Sequence, residues 1–98
     1  MTNYTVRVEL HDADDGDYDD LHDAMAKKGF VRWVKSSDGE KSQLPTAEYN
    51  LPDSNLDRDE VLKMARATAD SVKSKPKPWI LVTQSAGRTW SGLRAWNG

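Results

Sequence analysis

The chain has no cysteine among its 98 residues. That excludes disulfides, thiolate metal sites and a cysteine nucleophile, and it fits a reducing compartment. Apolar runs are only a few residues long, far below the roughly 20 that cross a bilayer. The first ten residues, MTNYTVRVEL, lack a basic region followed by an apolar stretch. The expectation is a protein without signal peptide or membrane span, acting in the cytoplasm. Glycine-rich loops of the Walker and Rossmann kinds are missing, as is a zincin motif, so nothing marks cofactor-dependent chemistry. With two histidines and no cysteine, no four-ligand zinc set can be assembled. The length fits one small domain.

Charge is abundant and uneven. Residues 1–29 hold three bases and eight acids, a balance of −5, whereas residues 73–98 hold five bases and no acid, a balance of +5. A chain so polarised can attract an oppositely charged partner, or a copy of itself. The acidic end centres on HDADDGDYDDLHD, residues 11–23, where seven of thirteen positions are aspartate. A calcium-binding EF-hand loop needs acids at positions 1, 3 and 5 and glycine at 6. With Asp12 as position 1, Gly16 falls one place early, so the register fails. A looser magnesium or calcium site at the end of the first strand is one reading. The plainer one is that these aspartates form a turn, cap a helix and keep its face solvated.

Tyr4, Val6, Val8 and Leu10 alternate with polar residues and predict a half-buried strand. Tyr18, Leu21 and Met25 recur at helical spacing from Asp17 onward, with Lys27 and Lys28 expected in the last turn and Gly29 as the stop. Phe30 to Lys35 and Leu44 to Leu51 read as two strands around the turn SSDGEK. Asp57 and Glu60 form an aspartate version of the capping box, with Leu56 and Val61 as its staple. Val61, Leu62, Ala65, Ala69 and Val72 then supply a buried helical stripe. KSKPKP ends that helix. WILV, residues 79–82, reads as a more buried fourth strand. The order β-α-β-β-α-β predicts a ferredoxin-like α+β sandwich: one antiparallel four-stranded sheet, order 4-1-3-2, with both helices on one face. Residues 1–85 form this domain, and 86–98 a tail in which Trp90, Leu93 and Trp96 recur every three residues.

Basic residues interleaved with tryptophans in the last third can contact phosphates and stack on unpaired bases. The alternative is that Trp79 is core and the other two tryptophans anchor the tail or a dimer interface.

The pattern YTVRVELHDAD, YDDLHDAMAKKGF, DGEKSQLPTAEYNL, DEVLKMARATA and WILVTQSAGRTW resembles the GhoS family, the endoribonuclease antitoxins of type V toxin–antitoxin systems. The resemblance covers nearly the whole chain. It rests on element order, the hairpin glycine, Leu44-Pro45, Tyr49 and the acid-capped second helix. It implies a ferredoxin-like fold and cleavage of a toxin's messenger RNA. The fold is also similar to that of small CRISPR-associated nucleases, which act as dimers and carry an acid near the end of strand one. Glu9 is the nearest position here, a glutamate in place of aspartate, with His11 and Asp12 just beyond. The expected catalytic residues are therefore Glu9, His11 and Asp12. Arg7, Arg32, Lys35 and Arg88 are the expected RNA-binding cations. No metal ligands are assigned, and magnesium is the one cofactor considered. The expected partners are RNA and a second copy of the chain. The competing expectation is a non-catalytic interaction module that dimerises through a sheet edge or through its tail.

Overall fold

Val6 and Val8 are fully buried while Arg7 between them is exposed, and this alternation sets the layering of the molecule. A computed structural model describes residues 1–97. Its elements are β1 (Thr2–Glu9), α1 (Asp15–Ala26), β2 (Trp33–Lys35), β3 (Lys41–Gln43), β4 (Glu48–Ser54), α2 (Arg58–Val72) and β5 (Trp79–Ser85). The central strand β1 pairs antiparallel with β4 on one side and β5 on the other. Its Tyr4, Val6 and Val8, continued by Leu10, face a core built with Leu21 and Met25 of α1 and Val61, Ala65 and Ala69 of α2. Both helices thus cover one face, as expected. Phe30, Tyr49 and Leu51 close that core. Full burial of side chains of this size contributes about 1.5–3 kcal/mol each.

The helices start where their caps dictate. Asp57 and Glu60 exchange side-chain and backbone hydrogen bonds at the start of α2. Asp14 and Asp17 do the same for α1, which begins two residues earlier than the apolar stripe suggested and takes Gly16 into its first turn. Lys27 is its C-cap residue and Lys28 lies beyond, so neither occupies the last turn. Gly29 reverses the chain at φ +91°, where a side chain would be strained. Leu62, expected in the buried stripe of α2, is 38% exposed; Thr68 takes a core-facing position instead.

The four-stranded sheet is not formed. The sheet of β4, β1 and β5 has three strands, and β2 and β3 form a separate hairpin. The strand expected over Leu44 to Leu51 begins only at Glu48, because the chain turns through Thr46 and Ala47, with Glu48 N donating to Pro45 O at 2.9 Å, and Pro45 has no N–H for a ladder. The hairpin partner of β2 is therefore Lys41–Gln43. At the fourth position of the sheet only Val31 bridges Asn50, through two 2.8 Å backbone bonds. The Asn50 amide Nδ2 donates to Trp33 O at 3.2 Å where a ladder bond would follow.

The fourth predicted strand is β5, and it is an edge strand open on one face. Ile80 and Val82 pack against the core, whereas Trp79 and Leu81 are 68% and 63% exposed. Among the described residues no helix covers the second face of the sheet, so alternate residues of an apolar run meet water there. The tail crosses that face and docks on β3. Gln43 N donates to Arg94 O at 2.7 Å, and Trp96 N to Lys41 O at 3.1 Å.

Candidate nucleic-acid interface

The odd-numbered residues of β1 define the open face. Glu9 lies opposite Trp79, Arg7 lies between Glu48 and Leu81, and Thr5 lies between Asn50 and Thr83. Residues directly opposite in antiparallel strands share a face, so these three rows form one surface. The tail covers the Thr5 row: Arg88 donates from Nε to Thr5 Oγ1 and from Nη2 to Asn50 Oδ1, both at 2.9 Å. The rows of Arg7 and Glu9 stay open. Arg7 reaches the Glu48 carboxylate at 3.3 Å and the Glu9 carboxylate at 3.8 Å. Both pairs are largely exposed and add little stability.

At the end of β1, His11 turns its ring edge-on to Trp79, with centroids 4.4 Å apart. Its Nε2 is buried and has no hydrogen-bond partner among the described residues. A buried, unpaired ring nitrogen costs about 1–3 kcal/mol. Asp12 follows in a left-handed turn, φ +52°, exposed, and its carbonyl accepts from Lys73 Nζ at 2.6 Å. Glu9, His11 and Asp12 thus lie at one end of the open face. Among the described residues, no three carboxylates or imidazoles converge as a ready-made metal site.

The four expected RNA-binding cations have different surroundings. Arg7 is on the open face. Arg32 is turned inward, donating to the carbonyls of Leu44, Pro45 and Glu48, and so holds the chain between the hairpin and β4. Lys35 and Arg88 come together in one depression at the far end of the sheet, roughly 13 Å along β1 from Glu9 when counted from Thr5.

A second cluster escaped the sequence reading. His22 Nδ1 lies 2.5 Å from the Tyr49 hydroxyl, and Arg32 stands over the Tyr49 ring at 5.4 Å. Burial raises the Tyr49 phenol, so it stays protonated, and donation to Nδ1 is the arrangement that leaves no buried hydroxyl proton unpaired. Burial, then the Arg32 charge, lowers His22 below the ordinary histidine value, against the opposing pull of Asp19 and Asp23. His22 lines a depression with Asp15, Asp19, Arg32 and Trp96. Tyr49 was legible as an inward strand residue, but its pairing with His22 joins elements 27 positions apart and left no local signal.

Comparison with known proteins gives no matching family model, no similar curated protein and no similar solved structure.

Proposed function

We propose that the chain binds single-stranded RNA on the open face of its sheet and cleaves it at the end of β1, as a GhoS-like antitoxin acting in the cytoplasm. The observation that carries this reading is the exposed Trp79 ring against His11, whose Nε2 lacks a partner, beside the Glu9–Arg7 row. An exposed tryptophan on a sheet is a stacking platform for an unpaired base. An orphaned ring nitrogen next to it, uncovered by a swing of that ring, is a proton carrier without an assignment inside the fold.

In the proposed step the 2′-oxygen attacks the adjacent phosphorus and the bond to the 5′-oxygen breaks. Glu9 takes the proton from the 2′-hydroxyl, and His11 gives one from Nε2 to the departing 5′-oxygen. The products are a 2′,3′-cyclic phosphate and a free 5′-hydroxyl. Arg7 offsets the charge that builds on the phosphate. Asp12 stays in the proposal as the flanking carboxylate, while Arg88 and Lys35 hold the strand further along. Arg32 acts indirectly, by fixing the chain that carries Glu48.

Equilibrium binding of an unstructured labelled RNA, measured across a salt series, tests the surface. Trp79→Ala is expected to weaken binding roughly ten- to hundredfold. Arg7→Ala is expected to reduce the salt slope by roughly 0.7, the loss of one phosphate contact. Unchanged binding in both variants contradicts the proposal.

One observation favours a second reading. Leu81 is 63% exposed on the free edge strand β5, beside Trp79. That is the composition of an interface core, and a non-catalytic module would dimerise there. Light scattering separates the readings: Leu81→Arg converts a dimer to a monomer if β5 is an interface, and leaves the mass unchanged if the face is reserved for RNA.

A further inference from the structure

Depressions on the surface differ in whether their linings carry acids. Two of them mix charges: Asp20 and Asp23 lie with Lys27 and Lys28 in one, and Asp15 and Asp19 with Arg32 in the other. A third, about 520 Å³, lies where the tail leaves β5 and passes the β2–β3 hairpin. None of its ten lining residues is acidic, in a chain with 16 acids and 14 basic residues. Lys35 and Arg88 supply two cations, Ser36, Ser37 and Ser85 supply hydroxyls, and Trp90 supplies an aromatic wall. The Asp38 carboxylate, in the adjoining turn, accepts from the Ser36 hydroxyl and does not line the depression.

The two cations are free to act on a ligand. Arg88 uses Nε and Nη2 on Thr5 and Asn50, which fixes the plane of the guanidinium and leaves Nη1 without a protein partner among the described residues. Lys35 makes neither a salt bridge nor a side-chain hydrogen bond among them, and it is exposed. An oriented guanidinium and a mobile ammonium on one wall are suited to a phosphate, and charge-assisted bonds of this kind are the stronger class. The half-buried Trp90 ring is suited to a planar base. The volume lies within the range of small-molecule sites.

We infer that this depression is a nucleotide subsite, with the phosphate on Lys35 and Arg88 and the base against Trp90. The inference deepens the RNA reading of the open face and rests on it for the substrate class. The nucleotide comes either free in solution or as the phosphorylated end of an RNA strand.

The test is titration of the full chain with adenosine 5′-monophosphate, adenosine, inorganic phosphate and a 5′-phosphorylated RNA hexamer, followed by amide chemical shifts. The expected result is saturable shifts at Ser36, Ser37 and residues 87–90 with the monophosphate, and weaker or no binding of adenosine and of phosphate alone. Lys35→Gln, an exposed substitution that leaves the core untouched, is expected to weaken the monophosphate about tenfold. Saturation of the same residues by the hexamer at lower concentration than the monophosphate identifies the strand end as the source; the reverse identifies the free nucleotide. Equal binding of adenosine and monophosphate, equal binding of phosphate and monophosphate, or an unaltered Lys35→Gln variant overturns the subsite. His11→Ala separates the two proposals, because it removes the proposed proton donor for cleavage and leaves monophosphate binding unchanged.

Discussion

The hydroxyl of Tyr49 lies 2.5 Å from Nδ1 of His22, and donating its proton there assigns the neutral imidazole's own proton to Nε2. Tyr49 is fully buried, and His22 is the one hydrogen-bond partner of its hydroxyl among the described residues. Burial penalises a charge on His22, and protonation also places a second cation near Arg32. The folded protein therefore binds this proton less readily than the unfolded chain. Where only the unfolded state binds it, stability rises with pH. The contribution is complete above the ordinary histidine value of about 6.5 and declines as pH falls from there toward the lower folded value. Thermal unfolding at pH 7.5 and 5.5 checks this: the wild type loses more stability across the interval than His22→Gln does. An equal loss in both contradicts the pairing.

Arg32 ties the hairpin to the chain that leads into β4. Its guanidinium serves the carbonyls of Leu44, Pro45 and Glu48 across the turn that divides β3 from β4. Arg32→Leu leaves these acceptors with fewer partners, at a cost of about 1–3 kcal/mol. Chemical denaturation gives the magnitude. Hydrogen exchange gives the location: the Leu44 amide, bonded to Arg32 O, and the Glu48 amide, bonded to Pro45 O, exchange faster while the β1–β5 ladder keeps its protection.

The aspartates of residues 11–23 divide into working caps and solvated charges. Asp14 accepts from Asp17 N at 2.9 Å, and Asp17 accepts from Asp14 N at 3.2 Å. Asp20 is exposed on the helix surface. Asp14→Ala is expected to destabilise by about 0.5–2 kcal/mol, whereas Asp20→Ala stays within about 0.5 kcal/mol of wild type. Urea unfolding of the two variants checks the division, and equal effects contradict it.

Much of this architecture was legible in residue order. The period-two pattern of Tyr4 to Leu10, the Asp57–Glu60 box and the stripe of Val61, Ala65 and Ala69 each reflect a local rule that the fold obeys. The exposure of Trp79 and Leu81 was not legible, because an apolar run reads alike whether one face of its sheet is covered or both. Pro45 marks the late start of β4 locally, but the turn that follows is also held by Arg32, whose three carbonyl partners lie 12 to 16 residues away. At the candidate site, Glu9, His11 and Asp12 could be placed together because they adjoin in sequence. The edge-on contact of His11 with Trp79 and the meeting of Lys35 with Arg88 depend on how β5 and the tail return to β1, which composition does not encode.

Cleavage of unstructured RNA by the purified chain, with and without a chelator, tests the central claim most directly. The proposal predicts fragments ending in a 2′,3′-cyclic phosphate, undiminished by the chelator. It also predicts rates reduced by about 10²-fold or more in His11→Ala and in Glu9→Gln, the typical value of one proton-transfer group. Absence of cleavage by the wild type, cleavage abolished by the chelator, or full activity in both variants would contradict it.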